Sequence, residues 1–179
     1  KRFDAAPALA LKGVIKVVEI PGGVAVIADN TWRALQAVRA VQCEWSEPMH
    51  AVSTDALIKH ITAAFDDKHQ DSQLRKDGDV DTALQGAKAL QAEYRVPFLA
   101  HAPMEPPTAV ARLRDGRLDV WAGTQMPTLV RDQAAKLASL DPSKVKVHVT
   151  LMGGSFGRRL ETDFIDQAVR LAIAVPGSR

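Results

Sequence analysis

The chain has 179 residues, of which 46% are hydrophobic and 25% charged, the composition of a soluble globular domain. Its 23 basic and 21 acidic side chains leave a formal net charge of +2, and only 5% of residues are aromatic, so neither a nucleic-acid-binding surface nor a base-stacking platform is indicated. Cys43 is the single cysteine, which excludes an internal disulfide and any cysteine-ligated zinc or iron–sulfur site built by this chain alone.

No apolar run approaches the roughly 20 residues of a membrane helix, and no signal peptide is visible, so the compartment stays open. The chain opens on Lys1 without an initiator methionine and stops at Arg179 straight after a predicted helix. Both ends suit a fragment of a longer protein.

Residues 1–50 read as a small α/β unit. Gly13–Ile20 is a strand rich in β-branched residues, Pro21-Gly22-Gly23 a turn, and Val24–Ala28 a fully apolar second strand, expected at the centre of its sheet. Asp29, Asn30 and Thr31 offer N-caps for a helix over 32–40, with Trp32, Leu35, Val38 and Arg39 on one face and Trp32 as a packing residue. Val41–Trp45 alternates like a short strand, and Cys43 reads as a small buried hydrophobe rather than a nucleophile. Ser53, Thr54 and Asp55 are caps for a helix through Leu57, Ile58, Ile61 and Phe65.

Asp66–Asp79 is a polar, mixed-charge segment, read as a surface loop. The expected domain boundary falls there, dividing the chain into 1–70 and 71–179. The five histidines, His50, His60, His69, His101 and His148, show no metal-ligand spacing. Ala89–Val96 reads as a strand. Four prolines in the eleven residues 97–107 then impose an extended, stiff loop carrying His101, Met104 and Glu105.

Thr108–Ala122 contains two alternating strands around Asp115-Gly116, a strong hairpin signal. Pro127 suits the first turn of a helix through Leu129, Val130, Gln133, Ala134, Leu137 and Leu140, ended by Asp141-Pro142. Lys144–Leu151 alternates Val145, Val147 and Val149 with Lys144, Lys146 and His148, the pattern of a half-buried strand. It runs into Gly153-Gly154-Ser155-Phe156-Gly157, followed by a helix from Asp163 with Phe164, Ala168, Leu171 and Ala172 on one face.

A strand, a glycine-rich turn and a helix in that order can cradle an anion. Glycines permit close backbone approach, free N–H groups point at negative charge, and Arg158 and Arg159 are expected to add positive charge. The spacing fits neither G-x-G-x-x-G nor the P-loop, and on the motif alone an ordinary turn is an equal reading. Two further classes remain: a phosphate- or nucleotide-binding module using Gly153–Arg159, and a non-catalytic structural or interaction domain.

Several runs together resemble one family. Thr124–Ala135, Val145–Thr150 and Met152-Gly-Gly-Ser-Phe-Gly-Arg-Arg159 resemble the molybdenum hydroxylases of the xanthine oxidase and aldehyde oxidoreductase family. Phe98–Pro106 is similar to the branch containing the isoquinoline 1-oxidoreductase β subunit, and the pattern Phe3-Asp4, Gly13-Val14, Gly23–Val26, Trp32 to its α/β hammerhead domain. The resemblance implies an α/β (α+β) fold: a partial hammerhead-like unit over 1–70, then the first part of a molybdopterin-binding domain with mixed sheet and helices over 71–179.

It also implies cofactor contacts for Gly153, Gly154, Ser155, Phe156 and Gly157, where the family carries Gly-Gly-Gly-Phe-Gly. Gln125 matches a glutamine that hydrogen-bonds an oxygen-type ligand of molybdenum. Ser155 departs from the third glycine, so either that position makes no demand for positive φ or the turn differs locally. The implied cofactor is molybdopterin, with the cytosine dinucleotide as one form. The implied activity is hydroxylation of an isoquinoline-like N-heterocycle or an aldehyde with oxygen from water. Implied partners are a small [2Fe–2S] subunit and a small-molecule substrate, with no nucleic acid and no membrane span. The family's catalytic glutamate is expected beyond Arg179, so no catalytic residue and no metal ligand are assigned here, and this chain alone is expected to be inactive. Gln125 and the glycine turn are expected to converge, each following a strand at one edge of a shared sheet.

Overall fold

The computed structural model describes residues 2–48, 53–65, 74–75 and 77–176. Contacts group them into two compact units, one of Lys1–Trp45 with His101–Arg179 and one of Ser46–Ala100. The fold is α/β, with helices packed on small sheets.

In the first unit, β1 (Arg2–Asp4) leads through a one-turn helix α1 (Ala6–Leu9) to β2 (Val14–Ile20) and β3 (Gly23–Ala28). β2 and β3 form a two-stranded antiparallel ribbon, so the apolar strand Val24–Ala28 is not central as expected. Every residue of β3 is half-buried instead, because α2 (Thr31–Ala40) covers one part and a cleft shared with Ala109, Val110, Ala168 and Leu171 borders Val26, Ile27 and Ala28. The N-cap of α2 is Asn30, whose side chain accepts the Arg33 N–H at 3.0 Å.

The face expected to pack is outward: Trp32 is 69% exposed and Ala37 fully buried. The helix packs on both β3 and α1, and its buried position is the small Ala37, with Trp32, Leu35 and Val38 left outside. β4 (Gln42–Glu44) returns to pair with β1, Phe3 opposite Cys43.

The second unit holds α3 (Thr54–Ala64), capped by Ser53 Oγ accepting the Ala56 N–H, and a short α4 (Val80–Leu84) capped by Asp79. Ala89–Val96 is irregular, not a strand. Alternating residues need a neighbouring strand to satisfy their backbone, and this stretch has none among the described residues, so Leu90, Tyr94 and Val96 stay exposed. Residues 66–73 of the expected polar loop fall outside the described residues, as do His50 and His69.

The first unit resumes with β5 (Ala109–Arg114) and β6 (Arg117–Ala122), joined at Asp115 and Gly116, both at positive φ as a tight hairpin turn requires. Then come α5 (Pro127–Ala138), β7 (Val145–Val149) and α6 (Asp163–Ala174). Pro127 opens α5, and Ser139 in the left-handed conformation closes it before Asp141 caps a 3-10 turn at Pro142. β6 pairs with β7 in parallel, Val120 opposite Val147, so β6–α5–β7 is a crossover unit.

Its core is Leu118, Val120 and Ala122 from β6, Val130, Ala134 and Ala135 from α5, Val145, and Ile165 and Val169 from α6. The buried stripe of α6 is thus Ile165, Val169 and Ala172, one position round from the predicted face. The shift arises because α6 serves two surfaces: Ile165 and Val169 enter the core while Ala168 and Leu171 line the cleft beside β3. Lys16 of β2 donates to the Ala174 carbonyl at 3.0 Å, a cation at the negative end of that helix.

Candidate functional site

Because β6 and β7 are parallel neighbours, the segments leaving their C-terminal ends emerge at one sheet edge. From β6 comes Gly123-Thr124-Gln125, and from β7 the run to Gly157. Thr124 is buried; its Oγ1 accepts the Met126 N–H at 3.1 Å and donates to the Arg159 carbonyl at 3.4 Å. The Gln125 N–H donates to that same carbonyl at 3.1 Å. The Gln125 side chain meets the turn directly, since the Ser155 hydroxyl donates to its Oε1. The expected convergence of Gln125 and the glycine turn is therefore present.

The turn alternates backbone handedness. Gly154 (φ +103°), Phe156 (φ +55°) and Gly157 (φ +89°) lie at positive φ, whereas Ser155 does not. Serine thus replaces glycine at a position that makes no left-handed demand. The N–H groups of Gly154, Ser155, Phe156 and Gly157 donate to no partner among the described residues. Four consecutive unpaired N–H groups in a turn of mixed handedness form a nest suited to an anionic ligand atom. Gln125 Nε2 likewise has no partner among the described residues, adding a side-chain donor at the same edge.

Beneath the nest lies Arg159, fully buried. Its Nε donates to the Gly154 carbonyl at 3.0 Å, Nη1 to the Gly123 carbonyl at 3.4 Å, and Nη2 to the Glu105 carbonyl at 3.0 Å and Oε2 at 2.8 Å. Glu105 Oε2 also accepts the Gly153 N–H at 2.8 Å, and the Glu105 N–H donates to the Gly153 carbonyl at 3.1 Å. A Cβ on Gly153 would come within 2.6 Å of Glu105 Cβ, so glycine is required there by close packing of the proline-rich loop.

The expectation that both arginines supply charge to a ligand is corrected here. Arg159 is turned inward onto Glu105, and Arg158 holds both oxygens of Asp163 at 2.9 and 2.7 Å. That pairing lowers the Asp163 carboxyl and raises the Arg158 guanidinium, each chiefly through the hydrogen bonds between them. The anion-directed donors are backbone and amide groups. Sequence reasoning placed Glu105 on a stiff loop without a partner for it; nothing local in the sequence links it to Arg159, 54 residues on.

The sheet face away from the core carries a second polar cluster. Trp121 stacks on His148 with centroids 4.7 Å apart, and Arg112 lies 5.3 Å from the Trp121 ring. Asp119 contacts His148 Nε2 at 2.9 Å and accepts from Arg112 at 3.1 Å. Its carboxyl is held below the usual carboxylate value, first by the hydrogen bond with His148. Among the described residues no group of three or more metal-ligating side chains forms, and no helix is long and apolar enough to cross a membrane.

The chain is similar to known proteins over most of its length. It is 29% identical, over 98% of its residues, to the β subunit of isoquinoline 1-oxidoreductase from Brevundimonas diminuta. It is 31% identical, over 92%, to one of the subunits of nicotinate dehydrogenase from Pseudomonas putida. It spans only 24% and 14% of those two proteins. Its fold matches the crystal structure of quinoline 2-oxidoreductase from Pseudomonas putida 86 with a TM-score of 0.68 at 19% identity, covering 97% of this chain and 28% of that one. Residues 63–175 match the family model described as the molybdopterin cofactor-binding domain, a span that includes Gln125 and the whole glycine turn. With well over half of the chain inside that match, the protein belongs to the molybdopterin cofactor-binding domain family.

Proposed function

We propose that this chain is part of the large subunit of a molybdenum-dependent hydroxylase, and that the Gly153–Gly157 turn with Gln125 is its share of the cofactor-binding surface. The observation that carries this reading is the row of four N–H groups without a partner among the described residues, beside an amide whose oxygen is already engaged. That donor set suits the anionic groups of molybdopterin, which when bound supplies the redox chemistry that oxidises a carbon centre with oxygen from water.

The chain's own residues have separate tasks. Gly154 to Gly157 bind through backbone N–H groups. Gln125 orients by donating from Nε2, an amide that hydrogen-bonds without serving as a proton source. Arg159 and Glu105 keep the turn in shape from below. Phe156 and Met104, 75% and 93% exposed, are apolar surface beside the nest that suits a water-excluding cover.

The substrate class belongs to the proposal: an isoquinoline-like N-heterocycle or an aldehyde. Isoquinoline and nicotinate, in the names of the two relatives above, are both N-heterocycles, while another relative is named for aldehydes, so both classes stay in the proposal. The cytosine dinucleotide form of the cofactor, a small [2Fe–2S] partner subunit, and the division into a hammerhead-like 1–70 and a cofactor-binding 71–179 are part of the same reading. The start of the family match at residue 63 supports that boundary.

The test uses the full-length enzyme. Gln125→Ala is expected to keep its molybdenum and to slow turnover by about a hundredfold, the typical loss for a donor aimed at developing charge. Full-length protein without molybdenum or pterin, binding an ordinary nucleotide instead, would replace this reading with a phosphate-binding module.

A further inference from the structure

We infer that Ser155 is a positioning residue for Gln125: its hydroxyl fixes the side-chain amide so that Nε2, and not Oε1, faces the surface above the glycine turn. The inference rests on the reading of Gln125 given above and goes beyond it. A primary amide has nearly the same shape in its two orientations, so a half-turn of the terminal torsion exchanges donor for acceptor. Something must select one orientation if the residue is to act as a donor.

The selection is visible in the hydrogen bonds. Ser155 Oγ accepts the Arg159 N–H at 3.3 Å and donates its proton to Gln125 Oε1. With the amide reversed, Nε2 would face the hydroxyl, and the hydroxyl proton would have no other acceptor among the described residues. Leaving a partly buried polar group unpaired is disfavoured, so the serine discriminates between the two orientations. From the other end, the Gln125 N–H is bonded to the Arg159 carbonyl at 3.1 Å. Backbone and side chain of Gln125 are thus both tied to the segment 155–159.

The backbone gives an independent reason to assign the side chain a role. Ser155 lies between positive-φ Gly154 and Phe156 but is not itself in that region. Conformation alone accepts any small residue at 155. The hydroxyl is what serine adds.

A double-mutant cycle in the full-length enzyme tests this, comparing wild type, Ser155→Ala, Gln125→Ala and the double variant. Molybdenum content, the electron paramagnetic resonance spectrum of the molybdenum centre, kcat and KM are measured for each. Ser155→Ala is expected to keep its molybdenum and KM and to lower kcat by about three- to tenfold, the loss of roughly one hydrogen bond. Its spectrum should move in the direction seen for Gln125→Ala, and the double variant should be no slower than Gln125→Ala alone. Additive losses, or a neutral Ser155→Ala beside a slow Gln125→Ala, would overturn the positioning role and leave the reading of Gln125 intact. A wild-type rate in Gln125→Ala would overturn both.

Discussion

Arg159 is completely buried, yet its guanidinium meets a Glu105 side chain that is 40% exposed, at 2.8 Å. The pair joins the proline-rich loop to the glycine turn, and the same arginine takes the carbonyls of Gly123 and Gly154. Removing this buried guanidinium strands the carbonyls of Gly123, Gly154 and Glu105. Arg159→Met is therefore expected to destabilise the chain by about 3–5 kcal/mol in denaturant unfolding. Glu105→Gln, which retains an acceptor for Gly153, should cost only about 1–2 kcal/mol. Equal, small effects for the two would mean that the pair does not hold the turn.

A second prediction concerns packing under the turn. A methyl group on Gly153 would meet Glu105 Cβ at 2.6 Å, whereas one on Gly157 would meet nothing within 4 Å. Gly153→Ala is expected to cost about 1–3 kcal/mol by forcing the loop away. Gly157→Ala should suffer only its positive φ, about 1 kcal/mol. Thermal unfolding of both variants checks the order.

Much of this site was legible in the sequence, and the reason is local. The Asp115-Gly116 turn, the Pro127 start of α5 and the alternation of Val145, Val147 and Val149 each specify an element within a few residues. A strand, helix and strand of those lengths then bring Gln125 and the glycine turn to one edge. Glu105 and Arg159 were not legible as a pair, because nothing short-range records a contact across 54 residues. Ala89–Val96 misled for the opposite reason: it has a strand's composition without a partner strand among the described residues. Trp32 misled because size suggested burial, while the fully buried position of the helix is the small Ala37.

The outer cluster predicts a pH dependence. The hydrogen bond with His148, and that from Arg112, lower the Asp119 carboxyl relative to the unfolded chain. A depressed carboxylate contributes stability in full above its unfolded value, near pH 4, and loses it as pH falls through the folded value. The stability difference between wild type and Asp119→Asn should be on the order of 1 kcal/mol near pH 5 and shrink as pH falls further. Denaturant unfolding at a series of pH values measures it; a difference that grows on acidification would contradict the assignment.

In the proposed function, backbone N–H groups of the glycine turn, with the Gln125 amide, hold molybdopterin. Its most direct test is a crystal structure of the cofactor-loaded full-length enzyme. Cofactor atoms are expected within hydrogen-bond reach of the N–H groups in Gly154–Gly157 and of Gln125 Nε2. A cofactor bound elsewhere, with those donors facing solvent or packed against protein, would contradict it.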